Sequence, residues 1–368
     1  MPKASPSNNK SVSARQRINQ GTMVAAMLRG DRGTGKTRFI LDLHMSNVQD
    51  AYKKIYNEEL NWETSDKDQI KDAAEHCLMC VVDFDMEGQE QLIMRSSIMP
   101  DEITDSWHKW PVTGSPEDSP EDQYEHRFDE GKRALSYYLQ MLKEHHEKYP
   151  DFSQQRVLIV EDLGEVYDAV LDHFFFITTR GKIKTFKDQF VKQTTLKQVL
   201  GRDEKGKGPA EAALFPMGQR ETFGMVNLEY KDFIRECVKY KRDMGYNFYC
   251  TARIGVTKDK ETEKTEEYTL GRTYLIEGFL DLIISFKKPL KESVITEGKF
   301  KGKKVYESMY VLDTVEGAKN RMSPDFWMEN TGAGDFFRRL NEERDKDERR
   351  QLNKRNKKQE ESNAESTG

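Results

Sequence analysis

The sequence predicts an α/β fold, with a mainly parallel central sheet flanked by helices and a terminal hairpin. Three observations carry that expectation. Short apolar runs of strand length alternate with stretches of helical period, a glycine-rich octapeptide occupies the first strand-to-helix junction, and acids follow directly on two of the apolar runs. Alternation of this kind favours a parallel sheet covered on both faces, because each parallel pair needs a crossover that a helix supplies.

The elements follow in order. Met23-Val24-Ala25-Ala26-Met27-Leu28 predicts a strand over 23–28, and apolar residues at helical spacing predict a helix over 36–57. Further strands are expected at 78–84, 156–161, 247–252 and 281–286, and further helices at 131–148 and 227–243. Two late apolar runs, 292–296 and 305–313, read as the terminal hairpin.

The octapeptide Gly30-Asp31-Arg32-Gly33-Thr34-Gly35-Lys36-Thr37 fits G-x-x-x-x-G-K-[ST] without a mismatch, and Arg38 follows it. A chance match somewhere in a chain of this length has a probability on the order of 1–2%. Glycines let the backbone curl so that amide hydrogens point inward, and the next helix adds its positive N-terminal end. Residues Gly30 to Arg38 are therefore expected to cradle the phosphates of ATP. Lys36 is expected to reach the β/γ-phosphates and Thr37 to ligate Mg²⁺.

Such a loop needs acids to hold the metal and a group to orient water. Val157-Leu158-Ile159-Val160-Glu161-Asp162 is an apolar strand ending in two acids, and carboxylates at a strand's carboxyl end face the ligand crevice of an open α/β sheet. Glu161 and Asp162 are the expected metal ligands. Another strand end, Val81-Val82-Asp83-Phe84-Asp85-Met86-Glu87-Gly88, offers three alternating acids, any of which could polarise the attacking water. A third reads Thr251-Ala252-Arg253, with Lys258 and Lys260 in the polar stretch that follows. Thr251 is placed to sense a γ-phosphate and Arg253 to stabilise transition-state charge, in its own subunit or a neighbour's.

Composition sets bounds. The 368 residues carry a net charge of −5 with 33% charged side chains, so a polyanionic partner would have to be held by a local basic patch. Four unevenly spaced cysteines argue against a disulfide framework and for a reducing cytoplasm. No apolar run approaches the ~20 residues that cross a bilayer, so no membrane is expected as a partner. Cys77 and Cys80 form C-x-x-C, but positions i and i+3 of a strand face opposite sides, which speaks for buried thiols rather than a metal site.

Segments outside the alternating pattern are read by charge. Residues 1–20 form a basic arm without an acid, expected to be disordered. Residues 115–130 hold the repeat Ser115-Pro116-Glu117-Asp118-Ser119-Pro120-Glu121-Asp122, an expected exposed loop. The 180–220 insert carries Arg180, Lys182, Lys184, Lys187 and Lys192 with Phe186 and Phe190 interleaved. That composition suits a nucleic-acid backbone, a solvated surface or a lid over the nucleotide. Residues 316–368 read as an aromatic docking segment and a charged tail, leaving 21–315 as the nucleotide-binding domain.

The loop 30–37, Asp85-Met86-Glu87-Gly88, Glu161-Asp162, Phe248-Tyr249-Cys250-Thr251-Ala252-Arg253 and the stretch Tyr274 to Ile284 resemble the RecA-like P-loop ATPases of phages and archaeal or bacterial mobile elements, some of which are DNA recombinases. The resemblance covers roughly 21–315. It implies Glu87 as the catalytic base, alongside Lys36 and Arg253 as catalytic residues. It further implies an Mg²⁺-dependent ATPase that acts as a homo-oligomer on DNA, single-stranded in particular, in phage-type replication or recombination. The compartment would be the cytoplasm, the host's if the chain is viral. The family usually has Asp then Ser where this chain has Glu161 then Asp162, which leaves open which acid approaches the metal. Alternatives are a packaging motor without its own nuclease, a P-loop kinase whose basic insert clamps an acceptor, and a nucleotide-dependent interaction switch.

Overall fold

Apolar runs without polar alternation become the inner strands of one sheet. The computed structural model describes residues 23–31, 34–85, 99–112, 126–179, 219–258, 265–287, 292–294, 304–306 and 311–317. Strand β1 (Ala25–Gly30) leads into helix α1 (Lys36–Tyr56), α2 (Lys67–Glu75) and β2 (Leu78–Asp83). Then come β3 (Trp107–Pro111), α3 (Arg127–Lys148), β4 (Arg156–Glu161), α4 (Leu163–Thr179), α5 (Gln219–Lys239) and β5 (Asn247–Ala252). The described chain ends with β6 (Ile254–Lys258), β7 (Thr265–Thr269), β8 (Leu282–Lys287), β9 (Glu292–Val294), β10 (Lys304–Tyr306) and β11 (Val311–Gly317).

The main sheet has the order β11-β8-β1-β5-β4-β2-β3. The six strands from β8 to β3 run parallel, and β11 closes one edge antiparallel to β8. Every residue of β2, β4 and β5 is buried, as expected for strands covered on both faces. Phe84 after β2, Phe128 on α3 and Phe233 on α5 meet edge-on or tilted in the core.

The helices end where side chains can satisfy them. Asn57 adopts the left-handed conformation at the close of α1 and returns its N–H to Lys53 O. Asp66 accepts from Asp68 N at the start of α2. Asp129 and Glu130 occupy the first turn of α3 and Lys148 its last, matching the helix dipole at both ends.

Several expectations need correction. The first strand runs to Gly30 rather than stopping at 28, because Gly30 still pairs with Phe286. The acidic loop stops short of 130, since residues from Arg127 belong to α3. Helix α5 spans 219–239 rather than 227–243; residues 240–245 form a turn that closes with Gly245 at φ 59. The expected hairpin partner 305–313 is divided: β10 pairs with β9 in a small antiparallel ladder, while β11 joins the main sheet. Lys258 lies on β6, paired antiparallel with β7, and not in a loop. The four cysteines are free and buried, as expected. No helix among the described residues is long and apolar enough to cross a membrane.

At the amino-terminal end of β4 lies a second polar centre. Arg156 is fully buried and donates to Gly245 O at 2.7 Å, Tyr149 O at 2.9 Å, His146 Nδ1 at 2.9 Å and His145 Nδ1 at 3.4 Å. Because arginine only donates, both imidazoles accept, and His145 Nε2–H then donates to Glu75 O at 3.1 Å. Burial, reinforced by the guanidinium, pulls His145 down from 6.5 to about 4 and lowers His146 as well. The folded state therefore refuses a proton that the unfolded chain accepts. The contribution of His145 to stability should fall as pH drops from 6.5 to about 4, because in that window the unfolded chain binds more protons at this site. Urea melts across the window measure this, and His145→Gln should flatten the dependence.

Candidate functional site

Parallel register brings several strand ends abreast. Asp83 pairs with Glu161, Val160 with Cys250, Leu28 with Thr251 and Gly30 with Phe286, so the phosphate-loop sequence and both acid-ended strands open on the same edge of the sheet. That edge is where an open parallel sheet presents its ligand crevice.

The loop turns into α1 through Gly35 at φ 88, a conformation that favours glycine. Thr34 is buried and its hydroxyl donates to Asp31 O at 2.9 Å. Lys36 Nζ donates to Gly30 O at 2.7 Å and Asp31 O at 2.9 Å, so the lysine folds back over the loop that precedes it. Burial lowers the Lys36 ammonium to about 8, against the opposing pull of Asp162. Arg38 forms an i,i+4 ion pair with Asp42 at 2.8 Å along α1. Arg32 and Gly33 lie outside the described residues.

Thr37 donates its hydroxyl to Glu161 Oε1 at 3.0 Å, across 124 positions of sequence. Glu161 is buried, and that burial, with Asp83 beside it, pushes its carboxyl up to about 7. Asp162 does something different. It stands at φ 61, accepts from Gly164 N at 2.9 Å through Oδ1, and receives the Val166 N–H on its carbonyl, so it starts α4. Its backbone N–H is taken by Thr251 Oγ1 at 2.9 Å. Gly271, at φ 79, packs so closely on this turn that a Cβ would sit 2.6 Å from the Leu163 carbonyl.

Arg253 joins two acids. Its Nε lies 2.5 Å from Asp162 Oδ2 and its Nη2 donates to Asp85 Oδ2 at 2.9 Å. On the other side Lys109 Nζ lies 2.9 Å from Asp83 Oδ2 and 3.8 Å from Glu161 Oε2. Asp83 also accepts the Asp85 N–H at 2.9 Å. Arg127, almost fully buried, donates to Phe84 O at 2.6 Å and so fixes the chain between these two acids.

The structure thus gathers Gly30, Thr34, Gly35, Lys36, Thr37, Glu161, Asp162 and Arg253 at one edge. Thr251 is buried, and its hydroxyl accepts the Asp162 backbone N–H. Glu87 and the basic residues Arg180, Lys182, Lys184, Lys187 and Lys192 lie outside the described residues, as do Lys260, the 1–20 arm and the segment from 318. Lys109 was not anticipated. It sits in Trp107-His108-Lys109-Trp110-Pro111, which has neither an apolar run nor clear alternation, and only the edge pairing of β3 with β2 brings it to the acids.

Oxygen donors from Thr37 and Glu161 are what a hard cation such as Mg²⁺ takes. The backbone turn and Lys36 suit an anion. No family model matches this sequence, and no curated protein is significantly similar to it.

Thr251→Val should leave the Asp162 N–H buried without a partner. We expect a loss of about 1–3 kcal/mol of stability, read in denaturant melts, and retention by Thr251→Ser.

Proposed function

We propose that this chain is an Mg²⁺-dependent ATPase of RecA-like fold. The observation that carries the reading is the 3.0 Å hydrogen bond from Thr37 to Glu161, which joins the last residue of the octapeptide to the acid at the end of a distant strand. In P-loop nucleotide hydrolases a loop Ser or Thr and a strand-end acid hold the metal together. Of the two acids considered, Glu161 is the one beside Thr37, and Asp162 is engaged with Arg253 and the start of α4.

Each residue then has a task. Lys36, already turned toward the loop, neutralises phosphate charge. Thr37 and Glu161 would hold Mg²⁺, which when bound draws charge from the phosphate oxygens. Arg253 stands in the same subunit as the loop and supplies a guanidinium for developing charge. Asp85, bound to Arg253, and Glu87 beyond it are the carboxylates available to orient water, with Glu87 preferred on the resemblance.

Action on single-stranded DNA by a homo-oligomer is proposed from sequence alone. It rests on the basic, aromatic-interleaved 180–207 segment and on the family resemblance.

The deciding experiment is ATP hydrolysis with and without single- or double-stranded DNA. Lys36→Ala and Glu161→Gln should each lower turnover by about 10²–10³-fold. Absence of any calorimetric signal with MgATP would overturn the ATPase reading. A rate indifferent to DNA would overturn the DNA half alone, and ADP formation that requires a small-molecule acceptor would favour a kinase.

A further inference from the structure

Lys109 occupies an unusual position for a lysine. Its side chain is 7% exposed, and it stands between two carboxylates that are themselves 0% and 7% exposed. In register it pairs with Val81, two residues before Asp83, and a lysine stem is long enough to climb the roughly 6–7 Å that two strand residues span. Its ammonium therefore arrives at the end of a neighbouring strand. Among the described residues, β2 contributes Asp83 to its surroundings, β4 contributes Glu161, and Asp85 next along the chain is drawn toward Arg253.

The need for a cation there follows from register. Asp83 and Glu161 are direct partners on adjacent parallel strands, both buried. Two buried carboxylates so close resist sharing full negative charge. A cation between them offsets part of their mutual repulsion and keeps them apart along a fixed line.

We propose that Lys109 is a positioning residue of this site: by bridging Asp83 and Glu161 it balances Asp83 and holds the Glu161 carboxylate in line for Thr37 and the metal. The inference rests on the nucleotide reading above. Lys109 touches neither phosphate nor metal; it acts through Glu161. A lysine that served only to neutralise a surface acid would not need to be buried or to reach two strands.

Four proteins test this: wild type, Lys109→Met, Lys109→Arg and the double variant D83N/K109M. The measurements are ATP affinity with and without Mg²⁺, and turnover at saturating MgATP. K109M should lose about 10–100-fold in turnover or in the Mg²⁺-dependent gain in affinity, the range typical of residues that orient a metal ligand, while Mg²⁺-free ATP binding is unchanged. K109R should keep most of the activity. The double variant, which removes the cation together with the carboxylate it balances, should recover well above K109M.

K109M equal to wild type overturns the role of Lys109 and leaves the ATPase reading standing. Wild type that gains no affinity from Mg²⁺ overturns the reading of the site itself. Should K109M fail to fold, the double variant carries the test, and a folded but inactive D83N/K109M overturns the charge-balancing role.

Discussion

Carboxylates crowd the carboxyl edge of this sheet, and the cost of burying them is the constraint that organises everything around it. Asp83, Glu161 and Asp162 are all buried, and burial pushes each of their carboxyls upward. Removing such charges from water costs several kcal/mol each unless cations and hydrogen bonds offset it. Here the offset is divided between two cations. Lys109 serves Asp83 and Glu161 from an edge strand, and Arg253 serves Asp162 and Asp85 from the end of β5. The left-handed turn at Asp162 belongs to the same solution, since it aims Oδ2 at Arg253 while Oδ1 caps the next helix. Aspartate tolerates that backbone conformation better than most residues, and strain of this kind tends to collect at functional sites.

The opposite end of β4 shows a contrasting way to bury charge. Arg156 is held entirely by carbonyls and imidazole nitrogens. Burial lowers its guanidinium to about 10. The acceptors come from the end of α3, the turn after it and the entry to β5, so one side chain ties three connections to the first residue of the strand. Its acceptors are neutral and the whole group is satisfied internally, which marks it as structural. The edge at Glu161, by contrast, combines raised carboxyls, a lowered lysine and a strained backbone, and that combination is the usual signature of a ligand site. One strand therefore carries a fixed anchor at one end and the crowded carboxylates at the other, and the anchor restrains the register that brings those carboxylates together.

Much of this was legible in the sequence, and the exceptions have physical causes. Strands β2, β4 and β5 were visible because full burial demands unbroken apolar runs. Strand β3 was not, because an edge strand with partly exposed residues need not be apolar, and Trp107-His108-Lys109-Trp110-Pro111 shows neither periodicity. Lys109 was missed with it. The division of 305–313 between two sheets depends on long-range pairing that a local pattern does not encode. The apolar run before them places Glu161 and Asp162 at a strand end, but their different surroundings follow from a left-handed backbone turn after Glu161, which no side-chain pattern announces. Thr251 carries a structural task that its place at a strand end does not announce: its hydroxyl satisfies a backbone N–H.

Lys36 bears on whether the octapeptide is more than a turn. Its hydrogen bonds run to two neutral carbonyls, and burial lowers its ammonium to about 8. A turn that needed only shape would be better served there by an uncharged side chain, because the desolvation of this ammonium outweighs the pull of Asp162 and Glu161 on it. The same cost becomes a gain once an anion takes the place of the carbonyls, since the attraction between opposite charges grows as water is excluded. A residue that destabilises the free protein and would stabilise an anion complex is arranged for binding. The loop geometry and the lysine's burden are two separate departures from what folding alone would favour, and an anion seated in the turn would relieve both.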